Sequence, residues 1–428
     1  MVKHESRRSF SFGYLIPKVG LIYLLSICSM ILSVLAVNLI PNDAILKHLR
    51  LSLPTENFRV LFGATPTDQW TECIAATIGI THKFSATGLI ERSLLSPTLG
   101  NCEQSWEFLK MDTGESINYW RYWHGSQIIT RPALTMMSVL DVRALTFFLF
   151  VSSFIFCFLA LYRHGLHLPG LAMVAGLFCV HLQSALFIVP YAMDWVMGFL
   201  ACGWIVTKLK GSAPISVNGI CCIFFFVGTL SAFFGLLNNP LVSLTIPLYG
   251  VFWADSFQKE GGEAVGFKLV MVAAYLWFIG YATTWSTKWL LAGLFADGVF
   301  HTILENIKFR LGGAYGTLEM TWTNAFSRVL SENHFGAYFI LACLIVSLLP
   351  LIHFVKTIRR KWSDLTSFVF ICALPFVWFA GLRNHTIIHA AFTSAGLYIS
   401  FAMVLSLLLT SWADNPSLSS RLLKKSTS

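Results

Sequence analysis

The sequence predicts an all-α polytopic membrane protein, with about ten spanning helices and a large helical loop after the first. Of its 428 residues, 56% are hydrophobic and only 12% are charged, whereas soluble domains carry about 25% charged residues. Apolar segments recur along the whole chain, so we expect a single membrane domain over residues 1–428. The basic residues cluster in alternate connections, as they do in cytoplasmic loops.

Ten apolar segments are the predicted spans. They cover residues 19–40, 144–162, 168–189, 195–207, 215–236, 240–256, 268–286, 336–354, 365–381 and 390–412. A basic stretch precedes the first, which would also suit a secretory signal peptide. However, that segment is about 22 residues long, which favours a retained helix.

The distribution of basic residues predicts that both termini are cytoplasmic. The turns near residues 190 and 238 carry no Lys or Arg, which is typical of extracytoplasmic connections. Residues 41–143 and 287–335 then form two long extracytoplasmic loops, and residues 42–53 suit a short interfacial helix. Because the basic side chains follow this alternation and form no patch, we expect no nucleic-acid partner. The cytoplasmic set is Lys3, Arg7, Arg8, Lys18, Arg163, Lys208, Lys210, Lys259, Lys268, Lys356, Arg359, Arg360, Lys361, Arg421, Lys424 and Lys425.

Two of the ten cysteines, Cys73 and Cys102, fall in the first loop. They would pair in an oxidising compartment, and the sequence leaves both the paired and the free state open. The other eight lie in apolar segments, where cysteine behaves as a small hydrophobic residue.

Three carboxylates of the first loop are candidates for chemistry. Asp68 and Glu72 are four residues apart and would share one face of a helix. Such a pair could hold a divalent cation or supply a general base, although acidic residues are also usual in a first helical turn. Asp43 follows the first span directly and is a second candidate for the base.

Aromatic and basic residues alternate later in the same loop. Trp120, Arg121, Trp123, His124 and Arg131 fall within a short stretch. Arginine pairs with phosphate in a bidentate manner, and indole rings suit a sugar or a headgroup. An aromatic belt at the membrane interface is the alternative.

A third group precedes the last span. Arg383, Asn384, His385 and His389 lie together, and the two histidines share one helical face. This group would bind phosphate or, less well, a metal ion, since no third metal ligand is near in sequence. The late loop adds further charged or titratable residues, which suit either a lipid-phosphate cover or an ordinary solvated loop: His301, Glu305, Lys308, Arg310, Glu319, Arg328 and His334.

This layout resembles the GT-C class of integral membrane glycosyltransferases, in which a large outer loop follows the first helix. The motifs also resemble a group of bacterial multispanning proteins, through Asp68 to Glu72, Tyr122 to Gly125, Arg131-Pro132 and the Asn384, His385 and His389 set. No Walker loop, dinucleotide fingerprint or serine-hydrolase elbow occurs in the sequence.

The resemblance implies sugar transfer from a polyprenyl-phosphate donor to a glycan or lipid-linked acceptor, in a bacterial inner membrane. Asp68 would be the general base, and Glu72 would orient it or hold a divalent cation. The arginines would neutralise the leaving phosphate, the histidines would position phosphate or hydroxyls, and Trp120 and Trp123 would face the sugar.

Two other functions stay open. An O-antigen-type polymerase or ligase would gather its polar groups under the late loop. A glycolipid flippase or transporter would need polar residues along a central path, and His181, Gln183 and Asp255 are the main ones in the predicted spans.

Overall fold

The chain is an all-α polytopic membrane protein. The computed structural model describes residues 12–52, 69–80, 88–100, 102–111, 116–211, 215–256, 266–314, 316–346 and 362–413. Within these ranges, six helices are long and apolar enough to cross a membrane, and three shorter apolar helices accompany them. The only strands in the described residues are two short segments that pair antiparallel, Pro97 with Asn118 and Thr98 with Ile117.

The elements follow one another in chain order. Those of the first half are α1 Phe12–Asn38, α2 Asn42–Ser52, α3 Gln69–Thr77, α4 Leu89–Leu95, β1 Pro97–Thr98, α5 Cys102–Met111, β2 Ile117–Asn118, α6 Gln127–Leu134, α7 Val139–Arg163, α8 His167–Leu177, α9 Gln183–Phe187 and α10 Val189–Lys210. Those of the second half are α11 Val217–Phe234, α12 Leu241–Ser256, α13 Gly266–Ala292, α14 Val299–Gly312, α15 Trp322–Glu332, α16 His334–Val346, α17 Trp362–Gly381, α18 Arg383–Ile388, α19 Ala390–Thr393, a 3-10 turn at Ser394–Leu397 and α20 Tyr398–Ala413.

The predicted span at 168–189 is wrong as one continuous helix. The structure divides it into α8 and α9, with a break at 178–182. His181 is exposed in this break and Gln183 is half-buried, so both polar side chains lie at or beside the interruption of the helix. The predicted count of ten spans stays a prediction.

The predicted segment at 195–207 was too short. α10 runs from Val189 to Lys210, and it includes Asp194, which we expected to end the span. The Asp194 carboxylate is buried and accepts a hydrogen bond from the Ser231 hydroxyl at 2.5 Å. A partner on the neighbouring helix α11 therefore lets this carboxyl lie inside α10.

Two glycines bring α11 and α13 into close contact. A Cβ on Gly228 would lie 2.0 Å from the Trp277 carbonyl oxygen, and one on Gly280 would lie 2.2 Å from the Phe225 carbonyl oxygen. Small residues at such crossings let helix backbones approach in a membrane, where packing drives association. The C-terminal end of α13, which carries Trp285 and Lys288, is thereby held against the bundle.

The first loop packs as a helical layer over one end of the bundle. Its helices share an apolar core that includes Ile45, Leu49, Phe108 and Leu134, and this core continues onto Val189 of α10. The predicted interfacial helix at 42–53 is present as α2, and a disulfide joins Cys73 of α3 to Cys102 of α5.

The polar connections collect at this same end. The Gly125 N–H donates to the Phe233 carbonyl at 2.8 Å, at the end of α11. Phe233 lies 2.4 Å from where a Cβ on Gly125 would be, so only glycine fits there without a shift. The first loop is thereby fastened to the ends of the long helices, beside the segment that follows α11.

Candidate functional site

A cavity of about 130 Å³ lies where the first loop, α13, α14 and the start of α18 meet. Its walls are mostly aromatic and aliphatic, and two arginines project into the lining. The lining includes Arg121, Tyr122, Leu237, Trp285, Trp289, Asn306, Ile307, Arg310 and Leu311. The cavity therefore combines side chains of the segment before α6 with side chains of α13 and α14.

Arg121 enters the cavity from the first loop. Its Nη1 donates to the Asn306 Oδ1 on α14 at 2.6 Å, and its backbone carbonyl accepts from the Trp289 indole at 3.1 Å. Its guanidinium lies 4.8 Å from the centre of the Tyr119 ring, which is within range of a cation–π contact. These contacts hold the guanidinium in place without neutralising it.

Arg310 lies on α14 and lines the same cavity. Its Nη1 donates to the His385 Nδ1 at 3.3 Å and to the His389 Nε2 at 3.2 Å. The His385 Nε2 lies 2.8 Å from the Leu237 carbonyl oxygen. Because a carbonyl can only accept, this Nε2 carries the proton and the Nδ1 offers its lone pair to Arg310.

Burial lowers the pKa of His385 well below its ordinary value, and the neighbouring His389 and Arg310 lower it further. The histidine is therefore neutral at pH 7. The predicted pair of histidines thus acts here as acceptors for an arginine of the late loop, and they orient Arg310.

Arg383 and Asn384 hold the C-terminal end of α14. The Arg383 Nε donates to the Leu311 carbonyl at 3.3 Å, and the Asn384 amide donates to the Gly313 carbonyl at 2.7 Å. These bonds satisfy carbonyls that a helix end leaves without intrahelical partners. Both residues therefore lie beside the cavity and fasten the helix that carries Arg310.

The cavity has a net positive charge. In the part of the chain that the structure describes, the carboxylate–cation contacts join Glu72 to Arg143 and Glu305 to His301, and neither involves a cavity arginine. Guanidinium groups stay protonated at any physiological pH. Two positive charges thus face one small space lined by carbon, which favours an anionic ligand.

Trp285 supplies a further unused donor. Its Nε1 is buried and has no hydrogen-bond acceptor in the described protein, although its ring lines the cavity. Its ring centre is 5.3 Å from that of Tyr122 and 5.2 Å from that of Trp289. A buried N–H without a partner is costly, so a ligand oxygen in the cavity would stabilise it.

The remaining aromatic residues of the first loop surround the cavity or support it. Trp120 packs beside Trp289, outside the lining. Trp123 is buried in the bundle and donates from its indole to the Thr284 carbonyl at 2.8 Å, so it does not face this cavity.

His124 is also fully buried, with its Nε2 at 2.8 Å from the Tyr119 carbonyl. Burial lowers the pKa of His124 to about 3, against that hydrogen bond, and the charges of Lys288 and Arg121 act in the same direction as burial. Its position supports the turn that carries Arg121.

Arg131 is buried and fully engaged by the chain itself. It donates to the carbonyls of Val37, Ile78 and Ile40 at 3.0, 2.8 and 3.0 Å, and to the Asn42 Oδ1 at 3.0 Å. Burial and the nearby Arg92 lower its pKa to about 10. These bonds join α6 to the end of α1 and favour a structural role over phosphate binding.

The predicted acidic pair lies apart from the cavity where it is described. Glu72 is buried and forms a bidentate pair with Arg143 of α7, with distances of 2.6 and 2.5 Å. Asp43 is exposed in the first turn of α2. Asp68 lies outside the described residues. No group of three residues suited to a metal ion occurs in the described ranges.

Sequence reasoning did not single out Lys288. This lysine is buried in α13, and its Nζ donates to the Leu94 carbonyl at 2.6 Å and to the Ser96 hydroxyl at 3.2 Å. The sequence places this lysine directly after a predicted span that ends at residue 286. We therefore assigned Lys288 to the start of the second loop. Because α13 continues to Ala292, Lys288 lies inside the helix. Its hydrogen bonds to Leu94 and Ser96 join α13 to the first loop.

Fold and site together define an integral membrane protein with a cationic, aromatic cavity at one end of its helical bundle. Comparisons with protein-family models, with curated proteins and with solved structures find no match for this chain.

Proposed function

We propose that this protein is an integral membrane glycosyltransferase that moves a sugar from a polyprenyl-phosphate donor to a glycan or lipid-linked acceptor. The observation that carries the proposal is that Arg121 and Arg310, which are far apart in sequence, line the same aromatic cavity. The charge and the aromatic lining of this cavity suit a ligand that has a phosphate, a sugar and an apolar chain in one molecule, and at about 130 Å³ it would enclose the phosphate and the adjoining part of the sugar.

The phosphate would lie between the two guanidinium groups. Each arginine has further N–H donors besides those bonded to Asn306, His385 and His389, since a guanidinium has five. Charge-assisted bonds from arginine to phosphate are strong, and their strength grows in an apolar setting. As the bond to the sugar breaks, the developing negative charge on the phosphate would be stabilised by the same groups.

The sugar would pack on the aromatic walls. Trp285, Trp289 and Tyr122 present ring faces and edges to the cavity, and the unused Trp285 N–H is a donor for a sugar or phosphate oxygen. Rings that combine an apolar face with a polar group suit such amphipathic ligands.

The apolar chain would leave along α14. Phe300, Leu304, Ile307 and Leu311 are exposed and recur at helical spacing along one face of this helix. Ile307 and Leu311 also line the cavity. The stripe therefore continues from the cavity along the exposed face of α14, where it would carry an isoprenoid tail into the surrounding lipid.

In the proposed reaction, an acceptor hydroxyl oxygen bonds to the anomeric carbon while the bond from that carbon to the phosphate oxygen breaks. The lipid phosphate leaves with the electron pair, and the hydroxyl proton passes to a carboxylate base. Asp68 remains our candidate for this base. The described chain resumes at Gln69, and the ring of Trp70 is 6.1 Å from that of Tyr119, beneath Arg121.

The membrane orientation is part of the proposal. The distribution of basic residues supports an extracytoplasmic site and cytoplasmic termini, and a bacterial inner membrane is the location that the resemblance to GT-C enzymes implies. Attachment of a membrane-impermeant thiol reagent to a cysteine introduced at Asp43, compared with one at Lys210, would test the orientation in intact cells. Asp43 lies in the first turn of α2, and Lys210 is the last residue of α10.

An O-antigen-type polymerase or ligase is the second candidate. The late loop supplies α14 with Arg310, and the histidines lie beneath it, which is the arrangement that we expected for such an enzyme. The two candidates differ in the lipid that they release. A glycosyltransferase that uses a sugar on polyprenyl monophosphate releases the monophosphate, whereas a polymerase or ligase that uses a glycan on polyprenyl diphosphate releases the diphosphate.

Transfer should be measured with the full chain in lipid nanodiscs. Labelled sugars on polyprenyl monophosphate form one arm, and a glycan on polyprenyl diphosphate forms the other. We expect release of polyprenyl monophosphate in the first arm. Arg121→Gln and Arg310→Gln should each lower kcat/KM by about 10- to 100-fold, the value of one charge-assisted bond.

Lys308→Gln is the matched control, because it removes a positive charge from the exposed side of the same helix. It should leave kcat/KM within about twofold, since an exposed charge contributes little. Asp68→Asn should abolish transfer and leave lipid binding intact. Equal losses in Lys308→Gln and Arg310→Gln would show a surface-charge effect and remove the basis of the proposal.

A further inference from the structure

A second cavity, of about 190 Å³, lies between α9, α10, α15 and α19. Its aromatic part is formed by Tyr191, Trp195 and Phe392, and the Tyr191 and Phe392 ring centres are 5.0 Å apart. Trp195 is almost fully buried, so its ring forms part of a fixed wall. The volume suits one small molecule, since drug-sized ligands need about 300–1,000 Å³.

The polar groups of this cavity are amides, hydroxyls, one carboxylate and one imidazole. Gln183, Ser184 and Asn239 line it, as do Glu332 at the end of α15 and the exposed His181. The described lining contains neither lysine nor arginine. It therefore lacks the cations that a phosphate requires, whereas amides and a carboxylate both bond well to hydroxyl groups.

The two cavities share a wall. Leu237 lines the first and Asn239 lines the second, in the same short connection after α11. His389 also connects the two cavities. Its ring stacks on Phe392 of the second cavity with centres 4.8 Å apart, and its Nε2 accepts a hydrogen bond from Arg310 of the first. Each cavity thus contacts a member of the same Arg310, His389 and Phe392 chain.

We propose that the second cavity binds a neutral, hydroxyl-rich sugar unit, which belongs to the acceptor. The identity of this ligand as an acceptor rests on the proposed function, but its binding does not. The amide of Asn239 and the carboxylate of Glu332 hydrogen-bond to sugar hydroxyls, while Trp195 and Tyr191 pack against the ring. The connection formed by Leu237 and Asn239 keeps this ligand apart from the anionic one.

This assignment also concerns two residues that we expected along the central path of a flippase or transporter. His181 and Gln183 lie at the break between α8 and α9, at the second cavity, and not along a path through the bundle. Their polarity therefore fits a ligand site at one end of the bundle.

Binding of neutral sugars to the full chain in nanodiscs tests the proposal. The probes are methyl β-glucoside, methyl α-mannoside and methyl β-N-acetylglucosaminide, observed by saturation-transfer NMR and tryptophan fluorescence. At least one should bind. Glu332→Gln and Asn239→Ala should each weaken it by at least tenfold, and Glu319→Gln, which changes an exposed carboxylate elsewhere, should not. Because Glu332 is half-buried at a helix end, its variant tests the site even if Asn239→Ala fails to fold.

Arg121→Gln separates this inference from the proposed function, because Arg121 lines the first cavity and is not part of the Arg310, His389 and Phe392 chain. It should leave methyl glycoside affinity within twofold while weakening polyprenyl-phosphate binding, so glycoside binding stands even if no transfer is detected. The inference is overturned if none of the three glycosides binds, or if Glu332→Gln and Asn239→Ala bind them like the unchanged protein. Saturable binding of tetramethylammonium that depends on Glu332 and excludes the glycosides would also overturn it, because the cavity would then be a cation site.

Discussion

Arg310 donates a hydrogen bond to the Nδ1 of His385 over 3.3 Å, although 75 residues separate the two in sequence. The opposite nitrogen of the same ring is held by the Leu237 carbonyl. This single histidine therefore fixes three segments relative to one another: α14, the connection after α11 and the start of α18. The cavity exists because these segments meet.

The first prediction concerns pH. His385 and His124 both have folded pKa values below the ordinary 6.5, mainly through burial. The unfolded chain thus binds more protons below pH 6.5. Stability is fully present above that pH and falls as the pH decreases, by up to about 1.4 kcal/mol per pH unit for each histidine.

Thermal unfolding between pH 8 and pH 4.5 measures this dependence. His385→Asn should lower Tm at pH 7.5 and also make the fall below pH 6.5 shallower. His301→Gln, which replaces an exposed histidine of α14, should leave the pH profile unchanged. A profile that stays the same in His385→Asn would contradict the assigned neutral state.

The second prediction concerns Glu72 and Arg143. Their buried bidentate pair joins α3 to α7, and Glu72→Gln removes the carboxylate that faces the buried Arg143 guanidinium. Glu72→Gln should therefore lower the free energy of unfolding by about 3–5 kcal/mol. Glu72→Met with Arg143→Met should recover part of this loss, because the double variant buries no charge.

Chemical unfolding of the unchanged protein, of Glu72→Met, of Arg143→Met and of the double variant measures the coupling in a double-mutant cycle. The exposed Glu103 on α5 provides the control, since Glu103→Gln should change stability by less than about 0.5 kcal/mol. If Glu72→Gln is as stable as the control while transfer is lost, Glu72 has a chemical role and not a structural one.

The third prediction concerns the disulfide. Cys73 and Cys102 are 29 residues apart, and a cross-link over such a segment stabilises a fold by about 3–4 kcal/mol in the chain-entropy model. Cys73→Ser with Cys102→Ser should cost this much. Limited proteolysis should then cut within residues 69–111 first. Cys28→Ser, at an exposed free cysteine, should leave the cleavage pattern unchanged.

The fourth prediction separates the arginines. Arg131 uses its guanidinium on four acceptors of the chain, so a lysine cannot replace its geometry. Arg131→Lys should lower stability by about 2–3 kcal/mol but leave the affinity for polyprenyl phosphate within twofold. Arg310→Lys should leave the stability nearly unchanged but weaken the binding of polyprenyl phosphate. A stable Arg131→Lys protein with weakened lipid binding would restore Arg131 as a phosphate ligand.

Much of the local structure was readable from the sequence. The helix predicted at 42–53 is α2, and most apolar segments contain a helix, because hydrophobic length and periodicity act within a segment. The break at 178–182 and the extension of α10 through Asp194 were not readable, since each depends on what a polar side chain meets in a distant segment.

The candidate site shows the same division. The sequence by itself determined an all-α membrane protein and the segments in which polar residues concentrate. Only the tertiary structure decided which of those residues remain available. Arg131 is hydrogen-bonded to backbone carbonyls and to Asn42, and Glu72 is paired with Arg143. Arg121 and Arg310, by contrast, face a cavity. The reason is that burial and pairing are properties of contacts between segments, and these contacts are set when the helices pack.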